Sequence, residues 1–295
     1  MSQPAMKPGS GGKPESRARL IFFWDYDTQW GGDRSRLPGG RKEWGRLDFE
    51  NTERLLEIHA RYRVPTCFAV VGAAALPGDR PYHDPAQIRR VHDAGHEIAS
   101  HSHRHEWLPG LNRQELHETL RSSKDALEQC IGSEVSTFVP PWNQPFDYAA
   151  GFSFSLAERR EAGRNRVNLV RLCDALHESG YRFCRVAYRP MYQRLADRVL
   201  RRRFDQLGRT ESIGGITCVR LNTPGGFAGG TRRSVRRCVE RGALVVVWGH
   251  PHSLTLGNSQ DQVHLIPFLE MISDLRDAGR LSICLPRDLD GSLPR

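Results

Sequence analysis

Short apolar runs alternate with longer amphipathic stretches along nearly the whole chain. Leu20-Ile21-Phe22-Phe23-Trp24 has five apolar residues in a row, the pattern of a strand buried on both faces of a parallel sheet. Further strands are predicted at 66–71, 97–100, 135–139, 181–188, 216–221, 244–248 and 281–285. Between them lie helical patterns. One starts from Asp48 as N-cap and runs to about Tyr62, and one opens at Asp84-Pro85 in N-cap and N1 positions. Others cover 113–131, 167–179, 192–203, 232–241 and 263–279. Residues 28–43 read as a polar loop, and 142–163 as a long aromatic connection of the kind that more often carries function than not. Strand–helix alternation argues for parallel strands with right-handed crossovers. The fold class is therefore α/β. Seven or eight units favour a single-domain distorted (β/α) barrel over residues 19–295, with an open doubly wound sheet as the alternative. Residues 1–18, rich in Pro, Gly, Ser and Lys, read as a disordered tail.

The polar residues with chemical potential sit where these strands end. The first strand closes in Asp25-Tyr26-Asp27, two carboxylates spaced i, i+2 that point the same way in extended chain. The third leaves through His101-Ser102-His103-Arg104-His105. Two imidazoles four apart on a turn can converge on one metal ion, and a carboxylate from another strand tip can complete the set. Taken alone, each stretch also has a plainer reading: an Asx-rich turn for the aspartates, a solvated cluster for the histidines. His250 follows the strand at 244–248, and Pro141-Trp142-Asn143 follow the one at 135–139. In a (β/α) barrel the chemistry gathers at the C-terminal ends of the strands.

Ala94-Gly95-His96-Glu97-Ile98-Ala99-Ser100-His101-Ser102 through His105 resembles the polysaccharide deacetylases of carbohydrate esterase family 4. Trp24-Asp25-Tyr26-Asp27 looks like a variant of that family's first motif, with one residue between the carboxylates, and Trp248-Gly249-His250 is similar to its last. The resemblance covers roughly Leu20 to Cys284, strongly to about Pro141. It implies a distorted, incomplete strand–helix barrel. It further implies that Asp27, His101 and His105 hold a divalent metal ion, Zn first and Co, Ni or Mn as alternatives. Asp25 would be the catalytic base, His250 the general acid, and Pro141, Trp142 and Asn143 the substrate-binding segment.

The sequence also departs from the family. The third motif's Arg is missing from Phe138-Val139-Pro140-Pro141-Trp142, so the base must be tuned otherwise. No Asp and Trp matching the fourth motif occur near 174–184. Pro141 has no N–H for an oxyanion, which leaves the backbone of Trp142 or Asn143, or the metal alone.

Composition narrows the setting. The 295 residues contain 38% hydrophobic positions, enough for a core, and carry a net charge of +9. The charge allows an anionic partner, though scattered arginines also make an ordinary solvated surface. Nucleic acid is the weakest partner, resting on charge alone. Seven cysteines without C-x-x-C pairs read as small buried hydrophobes in a reducing compartment. Residues 1–19 lack the apolar run of a signal peptide, and no stretch approaches a membrane span of ~20 apolar residues. The expected location is therefore cytoplasmic. The leading function is metal-dependent removal of the N-acetyl group from an acetamido sugar, small or biosynthetic. The rivals are hydrolysis of another C–N bond, in a cyclic imide or ureide, and a non-catalytic carbohydrate-binding barrel. Two His and one carboxylate also suit Fe(II) oxygenases, but those are usually jelly rolls and this alternating pattern is not.

Overall fold

The structure, a computed structural model, describes residues 17–35, 42–145, 166–188 and 210–289. The helix expected at 192–203, the aromatics Phe146, Tyr148 and Phe152, and all of the 1–18 tail but Arg17 and Ala18 lie outside the described residues.

The chain is mixed α/β, with one curled sheet. Its strands are β1 (Ala18–Tyr26), β2 (Cys67–Val70), β3 (Glu97–Ser100), β4 (Thr137–Phe138), β5 (Phe183–Val186), β6 (Thr210–Ile213), β7 (Ile216–Arg220), β8 (Leu244–Gly249) and β9 (Leu281–Ile283). Their order is β6-β7-β5-β4-β3-β2-β1-β8. β1 is long enough to pair β2 along its second half and β9 along its first. All pairings are parallel except β6 with β7. Among the described residues the sheet thus holds eight parallel strands, within the seven or eight expected, plus one antiparallel strand that the sequence reading missed.

The helices are α1 (Thr28–Arg34), α2 (Trp44–Tyr62), α3 (Pro85–Asp93), α4 (Arg113–Ile131), α5 (Leu169–Glu178), α6 (Gly229–Val239) and α7 (Gln262–Asp277). α4 opens on a capping box: Asn112 accepts from the Glu115 N–H while Glu115 accepts from the Asn112 N–H. At α3, Asp84 accepts from the Gln87 N–H ahead of Pro85.

The curl divides the core in two. Leu20, Phe22 and Trp24 of β1 face the helices, with Phe49, Leu55 and Phe268. Ile21 and Phe23 face the barrel interior, with Ala69, Ala99, Val139, Phe183, Val219 and Val246. This is why β1 reads as an unbroken apolar run: both of its faces are covered.

Two boundaries correct the sequence reading. Residues 28–34 form α1 and not a loop. Gly31 makes this turn possible, because a Cβ there would stand 2.6 Å from the Asp27 Cβ. α2 begins at Trp44, so Asp48 is no N-cap but a buried residue one turn inside the helix.

Candidate functional site

The barrel mouth gathers the strand-end residues that the sequence singled out. Asp27 Oδ1 stands 3.2 Å from His101 Nε2 and 3.4 Å from His105 Nε2. All three side chains are buried. The chain reaches this arrangement through left-handed backbone at Thr28 (φ 56°), Ser102 (φ 61°) and His105 (φ 57°). Each costs energy for a residue with a Cβ, and such strain tends to collect at functional sites. His101 Nδ1 lies 2.7 Å from the Val139 carbonyl. A carbonyl only accepts, so Nδ1 carries the proton and Nε2 presents its lone pair to Asp27. The His105 ring is held by packing, edge-on to His101 at 5.0 Å and to Trp142 at 4.3 Å.

Asp27 Oδ1 is buried and accepts no hydrogen bond. A buried, unpartnered carboxylate oxygen facing an imidazole lone pair is costly unless a cation lies between them. Donor atoms bound about 2.0–2.2 Å from one four-coordinate ion stand roughly 3.3–3.5 Å apart. The observed separations, 3.2 and 3.4 Å, lie within or just below that range, and one imidazole pair plus one carboxylate is a donor set that suits a divalent ion. Among the described residues this is the one group of three or more His, Cys, Asp or Glu side chains so placed. His103, between the two, takes no part in the cluster, and its backbone N–H bonds Thr119 Oγ1.

Asp25 is not a member of that cluster. Its two oxygens accept from Arg185 Nη1 at 2.7 Å and Nη2 at 2.6 Å. Arg185, on β5, is fully buried and crosses the barrel interior between the rings of Phe23 and Trp248. Burial would push the Asp25 carboxyl up; the guanidinium prevails and keeps it below the ordinary value. The missing Arg of the third motif thus has a counterpart from another strand. The sequence signal was Arg185 itself, one charge in the middle of Phe183-Cys184-Arg185-Val186, and it passed unread. Arg185 Nη2 also donates to Asn143 Oδ1 at 3.0 Å.

His250 and His252 are told apart by their partners. His250 continues the interior-facing parity of Val246 and Trp248. Its Nε2 stands 3.9 Å from both Asp25 Oδ2 and Asp27 Oδ2. Gln260 Oε1 takes the His250 backbone N–H at 2.6 Å and lies 3.1 Å from Nδ1. That oxygen must accept, so Nδ1 is the protonated nitrogen and Nε2 faces the site. Gln260 was not foreseen. His252 instead lies flat on Trp44, 4.4 Å away at 3°, with Nδ1 3.3 Å from Asp48 Oδ1. Burial would lower the His252 imidazole; Asp48 outweighs it and raises it.

Of the third-motif segment, Pro141 is buried, and Trp142 and Asn143 adopt left-handed backbone (φ 52° and 56°). The Asn143 N–H is committed to the Pro140 carbonyl at 3.0 Å.

Fold and site together define an α/β half-barrel that places a His, His, Asp cluster, a clamped aspartate and a third histidine at the carboxyl ends of its parallel strands. The family model for polysaccharide deacetylase matches residues 45–149. An inferred polysaccharide deacetylase from Mycobacterium smegmatis has the same fold, at 17% identity over 99% of each chain and a TM-score of 0.54. A family 4 acetyl xylan esterase from Clostridium thermocellum, solved with a cobalt ion, aligns over 92% of this chain and 89% of its own at 14% identity, TM-score 0.45. A family 4 pseudoenzyme from Bacillus anthracis aligns over 91% of this chain and 64% of its own at 14%, TM-score 0.44. No curated protein matches the chain. The resemblance read from the sequence is borne out: the family model that matches, and the solved structure that shares the fold, are those of polysaccharide deacetylases.

Proposed function

We propose that the protein is a metal-dependent hydrolase that removes an N-acetyl group from an acetamido sugar. The observation that carries this reading is the buried Asp27 Oδ1, without a hydrogen bond and facing two imidazole nitrogens at 3.2 and 3.4 Å. Asp27, His101 and His105 would hold one divalent ion, zinc in our reading. The ion would supply Lewis-acid polarisation of the acyl oxygen and of water. Asp25, ionised beside Arg185, takes a proton from the attacking water. His250 Nε2 faces both carboxylates; as an imidazolium, with its Nδ1–H on Gln260, the ring would give the second proton, on Nε2, to the departing nitrogen. Of the donors considered for the oxyanion, the Asn143 N–H is spent on the Pro140 carbonyl, which leaves the Trp142 N–H or the metal alone. The substrate in this reading is a small or biosynthetic glycoside, met in the cytoplasm.

The test joins metal analysis of the purified protein with acetate release from a panel of N-acetylated sugars. About one metal ion per chain is expected, and His101→Ala or His105→Ala should lose it while His103→Ala keeps it. Asp25→Asn should keep the metal and lose about two to four orders of magnitude in rate. Stoichiometric metal in both His→Ala variants would overturn the ligand assignment. Turnover of cyclic imides or ureides without acetate release would move the substrate to that class. Tight sugar binding without turnover of either would make the barrel a binding protein.

A further inference from the structure

α2 reaches the barrel mouth with polar residues on its buried face. Trp44, Asp48 and Asn51 follow one another at i, i+4 and i+7, and Asp48 has 0% exposure. Its two oxygens are divided between the start of α1 and the turn after β8. Oδ2 accepts from the Thr28 N–H at 2.7 Å, and Oδ1 from the His252 N–H at 2.6 Å. Thr28 directly follows Asp27 and holds a left-handed backbone, φ 56°, which a β-branched residue adopts only under constraint. His252 comes two residues after His250. Its ring rests on Trp44, and Asn51 Nδ2 donates to the Pro251 carbonyl at 2.9 Å. One carboxylate therefore fixes the spacing between the backbone behind Asp27 and the backbone behind His250, while contacting neither of those side chains.

We infer that Asp48 is a positioning residue: by taking two backbone amides on one buried carboxylate, it sets Asp27 and His250 in a common frame. This rests on reading Asp27 as a metal ligand and His250 as the acid. The strain at Thr28 gives the inference a specific signature. Asp48→Asn keeps the shape but replaces one acceptor with an NH2 group, which cannot accept the amide it faces, so one of the two bonds is lost. A glycine at position 28 adopts the left-handed turn unaided and no longer needs the bond.

The experiment compares wild type, Asp48→Asn, Thr28→Gly and the double variant. It reads hydrogen exchange at the amides of residues 28 and 252, affinity for Zn²⁺ by competition with a chelator, and kcat. In Asp48→Asn one of the two amides should exchange at least tenfold faster. If it is Thr28, zinc affinity should fall about 10–100-fold, and adding Thr28→Gly should bring it back to within about threefold of wild type. If it is His252, kcat should fall by a similar factor with zinc affinity unchanged, and Thr28→Gly should rescue nothing. Unchanged protection at both amides overturns the inference, as does a lost bond with neither zinc affinity nor kcat altered. A wild-type protein that binds no Zn²⁺ would instead sink the ligand reading, and amide protection would then decide the brace by itself.

Discussion

Arg185 is the residue on which Asp25, the base we propose, depends. It is fully buried, and both Nη atoms are given to Asp25, with Nη2 shared with Asn143. Among the described residues the acid paired with this buried cation is Asp25, so removing either partner leaves an uncompensated charge in the barrel. Arg185→Met should cost about 3–5 kcal/mol of stability in urea unfolding. The double variant Arg185→Met, Asp25→Leu should recover much of that loss, because no buried charge remains. A single variant as stable as wild type would mean that water reaches Asp25 and screens it. The sequence showed Asp25, Asp27, His101, His105 and His250 because each ends an apolar run. Arg185 and Gln260 stayed hidden for opposite reasons: the first lies inside such a run, and the second in a polar loop without pattern.

At the scale of elements, β1, α2 and β3 are joined by two buried histidines. His59 Nε2 accepts from the Trp24 indole N–H at 2.8 Å, and His96 Nδ1 accepts from the Thr66 N–H at 3.1 Å. Both roles need a neutral ring. Burial pushes His59 down to about 3, with His96 adding to the effect, and burial pushes His96 down to about 4. The folded values lie below the unfolded value near 6.5, so the stabilisation is complete above that pH and drains away as pH falls toward the folded values. Unfolding free energy should therefore drop by roughly 2–3 kcal/mol per histidine between pH 6.5 and 4.5. His96→Asn keeps an acceptor for Thr66 but cannot titrate, and should remove about half of that slope. An unchanged slope would place the acid sensitivity elsewhere. α2 also shows where periodicity misleads. Its apolar positions mark one core face, yet Asp48 and Asn51 are buried as well, against α1 and the turn after β8. A hydrophobic pattern registers burial against apolar groups and is silent about burial against backbone amides.

For the whole molecule, closure of the barrel is the question. β7 and β8 stand at opposite ends of the strand order, apart from the β6 hairpin. The segment after β7 bridges them with side chains. Asn222 donates to the Leu244 carbonyl at 2.7 Å and accepts from the Val246 N–H at 2.9 Å, as a strand backbone would, and Thr223 Oγ1 donates to the Val246 carbonyl at 2.6 Å. Gly226 N–H then reaches the Trp248 carbonyl at 2.9 Å. Asn222→Ala leaves two β8 backbone groups without these partners and should cost about 1–3 kcal/mol, with faster hydrogen exchange at Val246. Unchanged exchange there would show that the seam does not hold β8. Because His250 leaves β8, the same variant should also weaken turnover more than it weakens metal binding.

What the sequence determined by itself is the alternation of buried strands and amphipathic helices, and hence a parallel α/β barrel with its polar groups at the strand ends. Period and apolar run length carry that information, because burial of a strand or a helix face is a property of consecutive residues. It also determined which side chains could form the His, His, Asp cluster, since each lies within one to five residues of a strand end. Tertiary structure decided the rest: that Arg185 of β5 pairs with Asp25, that Gln260 and not an acid meets His250 Nδ1, and that Asp48 takes amides from the start of α1 and the turn after β8. These pairings join residues 160, 10 and 204 positions apart. No local pattern encodes them, because a charge or an amide is satisfied by whatever the folded chain brings to it.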